Sequence, residues 1–335
     1  MEGIKFSKNP KLKKPYFIAA WPGMGEVAFK AATHLVHKLK AEEFAQVPPE
    51  DFFYLTESIV TEGILKVPEL PFGRFYYWKN PATKIGGSAR NSGGKPEGND
   101  LIIFISNAQP DLAKAEDYCK RIISVARSLR VKAVISLAAM PQAIDHTQPS
   151  KVWFAATSRE VADSLKKHNL RLLAEGQISG MNGLFLGIAK REGFDGFCLL
   201  GEIPLYTIQI ENPRACGATL EALAKILNIK IDFSELNEEA HIMEGEINKL
   251  LDYLKLGAPI GPISEEDIEK IKKSLTQLTK LPVSIKENIE KLFSQARADI
   301  SRANELKTEL DKWNVYKEYE DRFLDLFKKK KEGNN

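Results

Sequence analysis

The residues with chemistry to offer stand just after apolar runs. Trp21-Pro22-Gly23-Met24-Gly25 follows YFIAAW and opens a helical pattern, where Gly23 and Gly25 let the backbone approach a neighbour closely and a helix start offers free N–H groups. Two uses fit such a turn, anion contact and tight-turn geometry. The single GxG lacks the third glycine of a dinucleotide fingerprint and the lysine frame of a phosphate loop. Asn107, Gln109 and Asp111 follow LIIFIS, giving two amides and a carboxylate that could bond a small polar ligand, although Asp111 also suits a helix N-cap.

His146, in Asp145-His146-Thr147 after AVISLAAMPQ, has the right residue type for proton exchange near neutral pH. Without an obvious carboxylate or nucleophile beside it, a hydrogen-bonded loop residue is the other reading. Gly180, Asn182 and Gly183 lie in QISGMNGLFLG, a strand-to-helix turn. Glu202, Tyr206, Glu211, Asn212 and Arg214 crowd into GEIPLYTIQIENPRA, the densest polar cluster before the C-terminal third. Glu211 and Arg214, three apart, fit either a structural clamp at a helix start or recognition of a ligand. His34, His37, His168 and His241 stand at no metal-ligand spacing, and neither HExxH nor CxxC occurs, so no metal is expected. No cofactor is expected, and no complete catalytic constellation is visible.

The elements that must position these residues follow from periodicity. Short runs rich in Val, Ile, Phe and Tyr alternate with helical patterns: YFIAAW then a helix over 26–40, LIIFIS then 112–130, AVISLA, VWFAAT then 159–168, and GFCLLGEI then 215–227. This alternation predicts an α/β fold, a largely parallel sheet with helices on both faces. Ligands of such sheets collect beyond the carboxyl ends of the strands, where the turns above lie. FFYLTESIV, GILKVPEL and RFYYWK have no helices between them and read as antiparallel additions. The tract 84–100 is rich in Gly, Asn and Ser and reads as an insertion.

Gly vanishes between Ser264 and Glu332, and Pro282 is the only proline there. A domain over 1–256 and a helical extension over 257–335 follow, with Ser264 as an N-cap backed by Glu265, Glu266 and Asp267. Ile289, Phe293, Ala296, Ile300, Ala303, Leu306, Leu310, Trp313 and Tyr316 recur at helical spacing, which predicts one long amphipathic helix. Its stripe fits either intramolecular packing or a self-association seam.

Composition sets outer bounds. The 335 residues carry 48 Lys+Arg against 45 Asp+Glu, a net charge of +3, with both signs in plenty, so nucleic acid is not an expected partner. The longest apolar runs, LIIFI and AVISLAAM, fall short of the ~20 residues of a membrane span. Three cysteines without CxxC point to a reducing compartment, and with no signal-like apolar segment the expectation is a soluble, cytoplasmic protein.

WPGMGEVA after the first strand, HTQP at 146–149, ISGMNGLFLG, and above all EIPLYTIQIENPRACGATLEAL resemble the family named for the second proteasome assembly chaperone. The resemblance spans residues 15–232. It implies a three-layer α/β/α sandwich like the nucleoside phosphorylase/hydrolase fold, homo-oligomers with a trimer favoured, and proteasome α-subunits as partners. Family members usually carry an acidic residue where Gln109 stands and Pro and Arg where Asp145 and Gln148 stand. Lys331 to Asn335 do not show the hydrophobic-tyrosine ending by which members insert into an α-ring pocket.

A non-catalytic, oligomeric protein-binding factor is the function expected, with Trp21, Gly23, Gly25, Asn107, Gln109, His146, Gly180, Asn182, Gly183, Glu211, Asn212 and Arg214 as candidate binding residues. The alternative is a nucleoside- or phosphate-binding protein or enzyme, with Gly23 and Gly25 near a phosphate and Asn107, His146, Asn182 and Glu211 around a nucleoside or sugar.

Overall fold

The computed structural model describes residues 3–54, 58, 60–67, 69–81, 99–256, 283–312 and 316–327. Two compact units divide the chain, Met1–Leu278 and Thr279–Asn335. The expected insertion at 84–100, save Asp100 and Asn99, and the Ser264 cap lie outside the described residues.

The first unit is built on a nine-stranded sheet with the order β1-β3-β6-β7-β2-β8-β11-β9-β10. Its centre is parallel: β2 (Tyr16–Ala20) lies between β7 (Leu101–Ser106) and β8 (Ala133–Gln142), and β8 pairs in parallel with β11 (Gly196–Pro204). These strands are buried along nearly their whole length, as strands covered on both faces must be. Helices α1 (Val27–Leu39) and α5 (Pro213–Leu227) pack together on one face, and α6 (Ser234–Leu256) packs on α5. Helices α2 (Ala115–Ser128) and α4 (Gly180–Arg191) cover the other face.

The two faces have different cores. Alternate residues of β2 divide between them, with Phe17, Ala19 and Trp21 joining the cluster under α2 and α4. That cluster is aromatic: Trp21 lies between Phe104 and Phe185 at centroid distances of 5.4 and 5.3 Å, and Phe75 meets Phe104 at 4.7 Å. Residues of α1 and α5 facing the sheet are small or aliphatic, among them Ala28, Ala31, Ala32, Leu35, Ala215 and Leu220, so these helices approach closely.

The sheet is mixed rather than largely parallel. RFYYWK forms β6 (Gly73–Trp78), antiparallel to both β7 and β3 (Glu42–Val47), as expected for strands without crossover helices. VWFAAT forms β9 (Val152–Ala156), which runs antiparallel to β11 because only a loop, not a helix, returns the chain from β8. Helix α3 (Arg159–Lys166) follows, and then β10 (Arg171–Leu172), parallel to β9 at the sheet edge. Strand β3 has no expected counterpart, since a register shift between Glu43 and Ala45 buries Phe44 and Ala45 consecutively and destroys the alternation. At the sheet edge, β1 (Lys5–Phe6) pairs antiparallel with β3. FFYLTESIV adds no strand to the main sheet at its start: Phe52 and Phe53 turn inward onto Tyr118 at 4.7 and 5.6 Å. GILKVPEL contributes β5 (Ile64–Leu65), paired with β4 (Val60–Thr61) in a separate ribbon.

The second unit contains helices Val283–Ala298, Ala303–Lys312 and Tyr316–Asp325 in place of one continuous helix. The first break has a local cause: the Asp299 carboxylate accepts from the N–H and hydroxyl of Ser301 at 3.0 and 2.7 Å, capping a new turn. The stripe still works as a core, with Ile289, Phe293, Ala296, Ala303, Leu306 and Leu310 buried, while Ile300 at the break is exposed. Arg322 forms a two-pronged bond to Glu290 at 2.7 and 2.8 Å and lies 4.4 Å from the Phe293 ring centre. Trp313 lies outside the described residues.

Candidate functional site at the strand ends

The glycine turn after β2 is pinned from both sides. The Asn182 side chain accepts from the Trp21 N–H at 3.0 Å and donates to the Trp21 carbonyl at 3.1 Å, so α4 closes onto the end of β2. Gln109 donates to the Pro22 carbonyl at 2.9 Å and accepts from the Met181 N–H at 3.3 Å, which ties the end of β7 into the same knot. On the other side, the Gly25 N–H donates to the Ile208 carbonyl and the Asn212 N–H to the Gly25 carbonyl, both at 2.9 Å. Asn212 also caps α5 by accepting from the Ala215 N–H at 2.9 Å. The ends of β2, β7 and β11 are thus tied together, the first two through side-chain amides and the third through backbone hydrogen bonds at Gly25.

The two glycines of the turn differ. Gly25 has φ 61°, and a Cβ there would stand 3.3 Å from Ile203 and 3.4 Å from Asn212. Gly23 is extended at φ −170°, and a Cβ would meet only Asn182 Nδ2 at an ordinary 3.5 Å, so Gly25 alone has a conformational need for glycine. Gly180 has φ 73° and Gly183 needs contact room: a Cβ on Gly183 would fall 1.8 Å from the Ile178 carbonyl oxygen.

The remaining expected residues divide in the same way. Asn107 accepts from the Phe72 N–H at 2.7 Å and so anchors the approach to β6, and Asp111 caps the turn before α2 through the Ala113 N–H at 2.8 Å. His146 is buried; its Nδ1 lies 2.8 Å from the Tyr206 hydroxyl and its Nε2 2.9 Å from Asn248 Oδ1. Nε2–H donates to Asn248, and the Tyr206 hydroxyl, which accepts from the His146 backbone N–H at 2.9 Å, donates to Nδ1. The ring therefore fastens α6 to the loop after β8.

Glu211 and Arg214 do not pair with each other. Glu211 precedes the α5 cap and reaches α1, bonding Lys30 at 2.7 Å, whereas Arg214 in the first turn of α5 reaches Glu244 on α6. Lys30 also meets Glu239 at 2.8 Å. Burial alone would lower the Lys30 pKa, but its bonds to Glu211 and Glu239 raise it overall. Burial, followed by the charge of Glu211, raises the pKa of Glu26. Glu26, Glu211, Glu239 and Glu244 against Lys30 and Arg214 make this rim acidic.

Lys30, Glu239, Glu244 and Asn248 were outside the expected set. Lys30 lies in the first turn of α1, just after the cap residue Glu26 with its left-handed backbone, whereas the α6 residues carry no local signal and depend on how α6 docks.

Trp21, Asn182 and Glu211 do converge on one end of a helix-covered sheet, through the backbone of 21–26. Their polar atoms differ in availability. Trp21 and Asn182 are buried, while the Glu211 side chain is 54% exposed. Among the described residues, no group of three or more His, Cys, Asp or Glu side chains could hold a metal, and no helix is long and apolar enough to cross a membrane.

The fold and its knotted strand-end platform define a mixed α/β protein whose signature turns serve backbone closure. The PAC2 family profile matches residues 17–251, and the chain belongs to the PAC2 family. An uncharacterized protein of Methanocaldococcus jannaschii, MJ1210, is 30% identical over 266 residues, covering 78% of this chain and 93% of that protein. Pyrococcus furiosus PbaB, described as an archaeal proteasome activator, is similar with a TM-score of 0.60 and 26% identity, covering 74% of this chain and 97% of that one. Pyrococcus furiosus PbaA, described as an archaeal homolog of proteasome-assembly chaperone, gives a TM-score of 0.54 and 25% identity, covering 76% and 99%. The helices from Val283 onward lie beyond the family match.

Proposed function

We propose that this chain is a non-catalytic, protein-binding factor of the proteasome assembly type, acting in the cytoplasm as a homo-oligomer with a trimer as the expected state. The observation that carries this reading is the use made of the signature residues. The polar groups of Asn182, Gln109, Asn212 and His146 are engaged by the chain's own backbone and side chains, whereas the adjacent Glu211, Glu239 and Lys30 form an open charged rim. Such an arrangement supports a rigid surface that presents charge to another protein. Family membership and the proteasome-linked descriptions of PbaA and PbaB supply the partner class.

An acidic rim fits a partner surface rich in Lys and Arg, and association through it weakens as salt screens the charges. The three buried free cysteines, Cys119, Cys198 and Cys216, fit a reducing compartment. The test is co-elution of the full chain with proteasome core particle from the same organism, with oligomer mass read by light scattering. Retention on the α-ring that falls with rising salt supports the reading. Separate elution at low salt refutes it.

A further inference from the structure

Among the described residues, exposed large apolar side chains are mostly scattered singly, as on any folded chain, but one element collects them. That element is the ribbon of β4 and β5. Four of the eight residues 60–67 are large and aliphatic, and they stand open to solvent: Val60 is 58% exposed, Ile64 72%, Leu65 69% and Val67 86%. Strand register sets Val60 opposite Leu65 and Thr61 opposite Ile64, so apolar groups occupy both faces of the ribbon and both faces remain exposed.

The turn fixes the ribbon's shape. Glu62 and Gly63 have φ of 52° and 78°, the left-handed pair that a two-residue hairpin turn uses, and a Cβ at Gly63 would meet nothing within 4 Å. The ribbon is a sheet of its own, outside the hydrogen bonding of the nine-stranded sheet. A two-stranded ribbon with both faces in water is marginally stable, so it needs a surface against it.

Its composition selects that surface. Glu62 and Lys66 are its only charged residues and cancel, so copies of the ribbon meet without like-charge repulsion. Copies of the acidic rim would repel one another. Permanent interfaces between identical chains are apolar, whereas those made and broken in use carry more charge. The four aliphatic side chains expose roughly 400 Å², the size of a patch that marks an interface and half of the ~800 Å² per partner of a stable complex.

We propose that the ribbon of β4 and β5 is a self-association surface, packing on the same ribbon of further copies of this chain about the symmetry axis of the oligomer. Self-association through it rests on the homo-oligomeric reading above and leaves the rim free for a different protein.

The test is the mass of the full chain by light scattering over a dilution series, for the parent, for the double change Ile64→Lys and Leu65→Glu, and for Ile242→Lys at an exposed site on α6. The double change preserves net charge and alters only exposed side chains, and an unchanged far-ultraviolet circular dichroism spectrum verifies the fold. The parent is expected to be oligomeric, and the double change to raise the concentration at which it dissociates at least about tenfold. Ile242→Lys is expected to keep the parent's mass. The milder pair Ile64→Thr and Leu65→Thr keeps strand propensity, acts in the same direction and replaces the charged pair if that variant unfolds. A parent that is monomeric at every concentration removes the oligomer reading and the ribbon together. An oligomeric parent whose dissociation the ribbon changes leave unaltered overturns the ribbon alone, as does equal dissociation by Ile242→Lys. Loss of binding to proteasome core particle with the oligomer intact assigns the ribbon to that partner and overturns self-association through it.

Discussion

The buried knot around Trp21 and the charged rim around Lys30 are neighbours in sequence and in space, yet they use polar groups in opposite ways. In the knot, Asn182 and Gln109 spend their hydrogen bonds on the backbone of the turn. In the rim, Glu211 and Glu239 bond a single ammonium and keep much of their surface in solvent. The contrast teaches that polar residues in a glycine-rich turn need not face a ligand. Here they tie the ends of β2 and β7, while the side chains of Glu211 and Glu239 beside them stay partly exposed.

Substitutions in the knot should cost stability first. Gly183→Ala is expected to lose about 3–4 kcal/mol, because its methyl would overlap the Ile178 carbonyl. Asn182→Ala strands the buried N–H and C=O of Trp21 and should lose about 2–4 kcal/mol, read as a lower urea midpoint. A change below about 1 kcal/mol for both would dissolve the distinction between knot and rim.

Within the knot, the two turn glycines separate next. Gly25→Ala should cost about 1–2 kcal/mol for its left-handed backbone, whereas Gly23→Ala should stay within about 0.5 kcal/mol. Equal costs would mean that the turn, not the single φ, sets the requirement.

Rim substitutions should move stability little. The double change Glu211→Gln and Glu239→Gln removes partly exposed pairs and is expected to shift stability by no more than about 1 kcal/mol.

The smallest effect is a pH dependence at Glu26. Its folded pKa is raised, so the stability it contributes is fully present below its unfolded value of about 4.3 and is lost as pH rises through the folded value. Glu26→Gln should therefore melt above the parent at pH 7 and level with it near pH 4. A variant that melts lower at pH 7 would show that Glu26 is stabilising as a charge.

Much of this was legible in the residues. The parallel centre followed from apolar runs alternating with helical periods, and the motif order around IENPRA led to the family. Strand β3 was hidden by the irregular register at Phe44, and the single C-terminal helix expected from its stripe is broken by an Asp299–Ser301 cap that periodicity does not register. In the site, Asn182 and Glu211 were singled out for the same polarity, but sequence could not tell that one is consumed by backbone and the other exposed. That depends on where α4 and α6 dock, a matter of long-range packing. Glu202 shows the same limit, because its contact with Arg171 comes from strand pairing between β11 and β9.

The proposed binding role requires the platform and the rim to be separable. Affinity of the full chain for proteasome core particle, measured at low and high salt for the parent and for the Glu211→Gln, Glu239→Gln variant, tests this most directly. Binding by the parent should weaken with salt, and the variant, with a Tm within about 2 °C of the parent, should bind at least about tenfold more weakly. Equal affinity of parent and variant, with no salt dependence, would contradict that role.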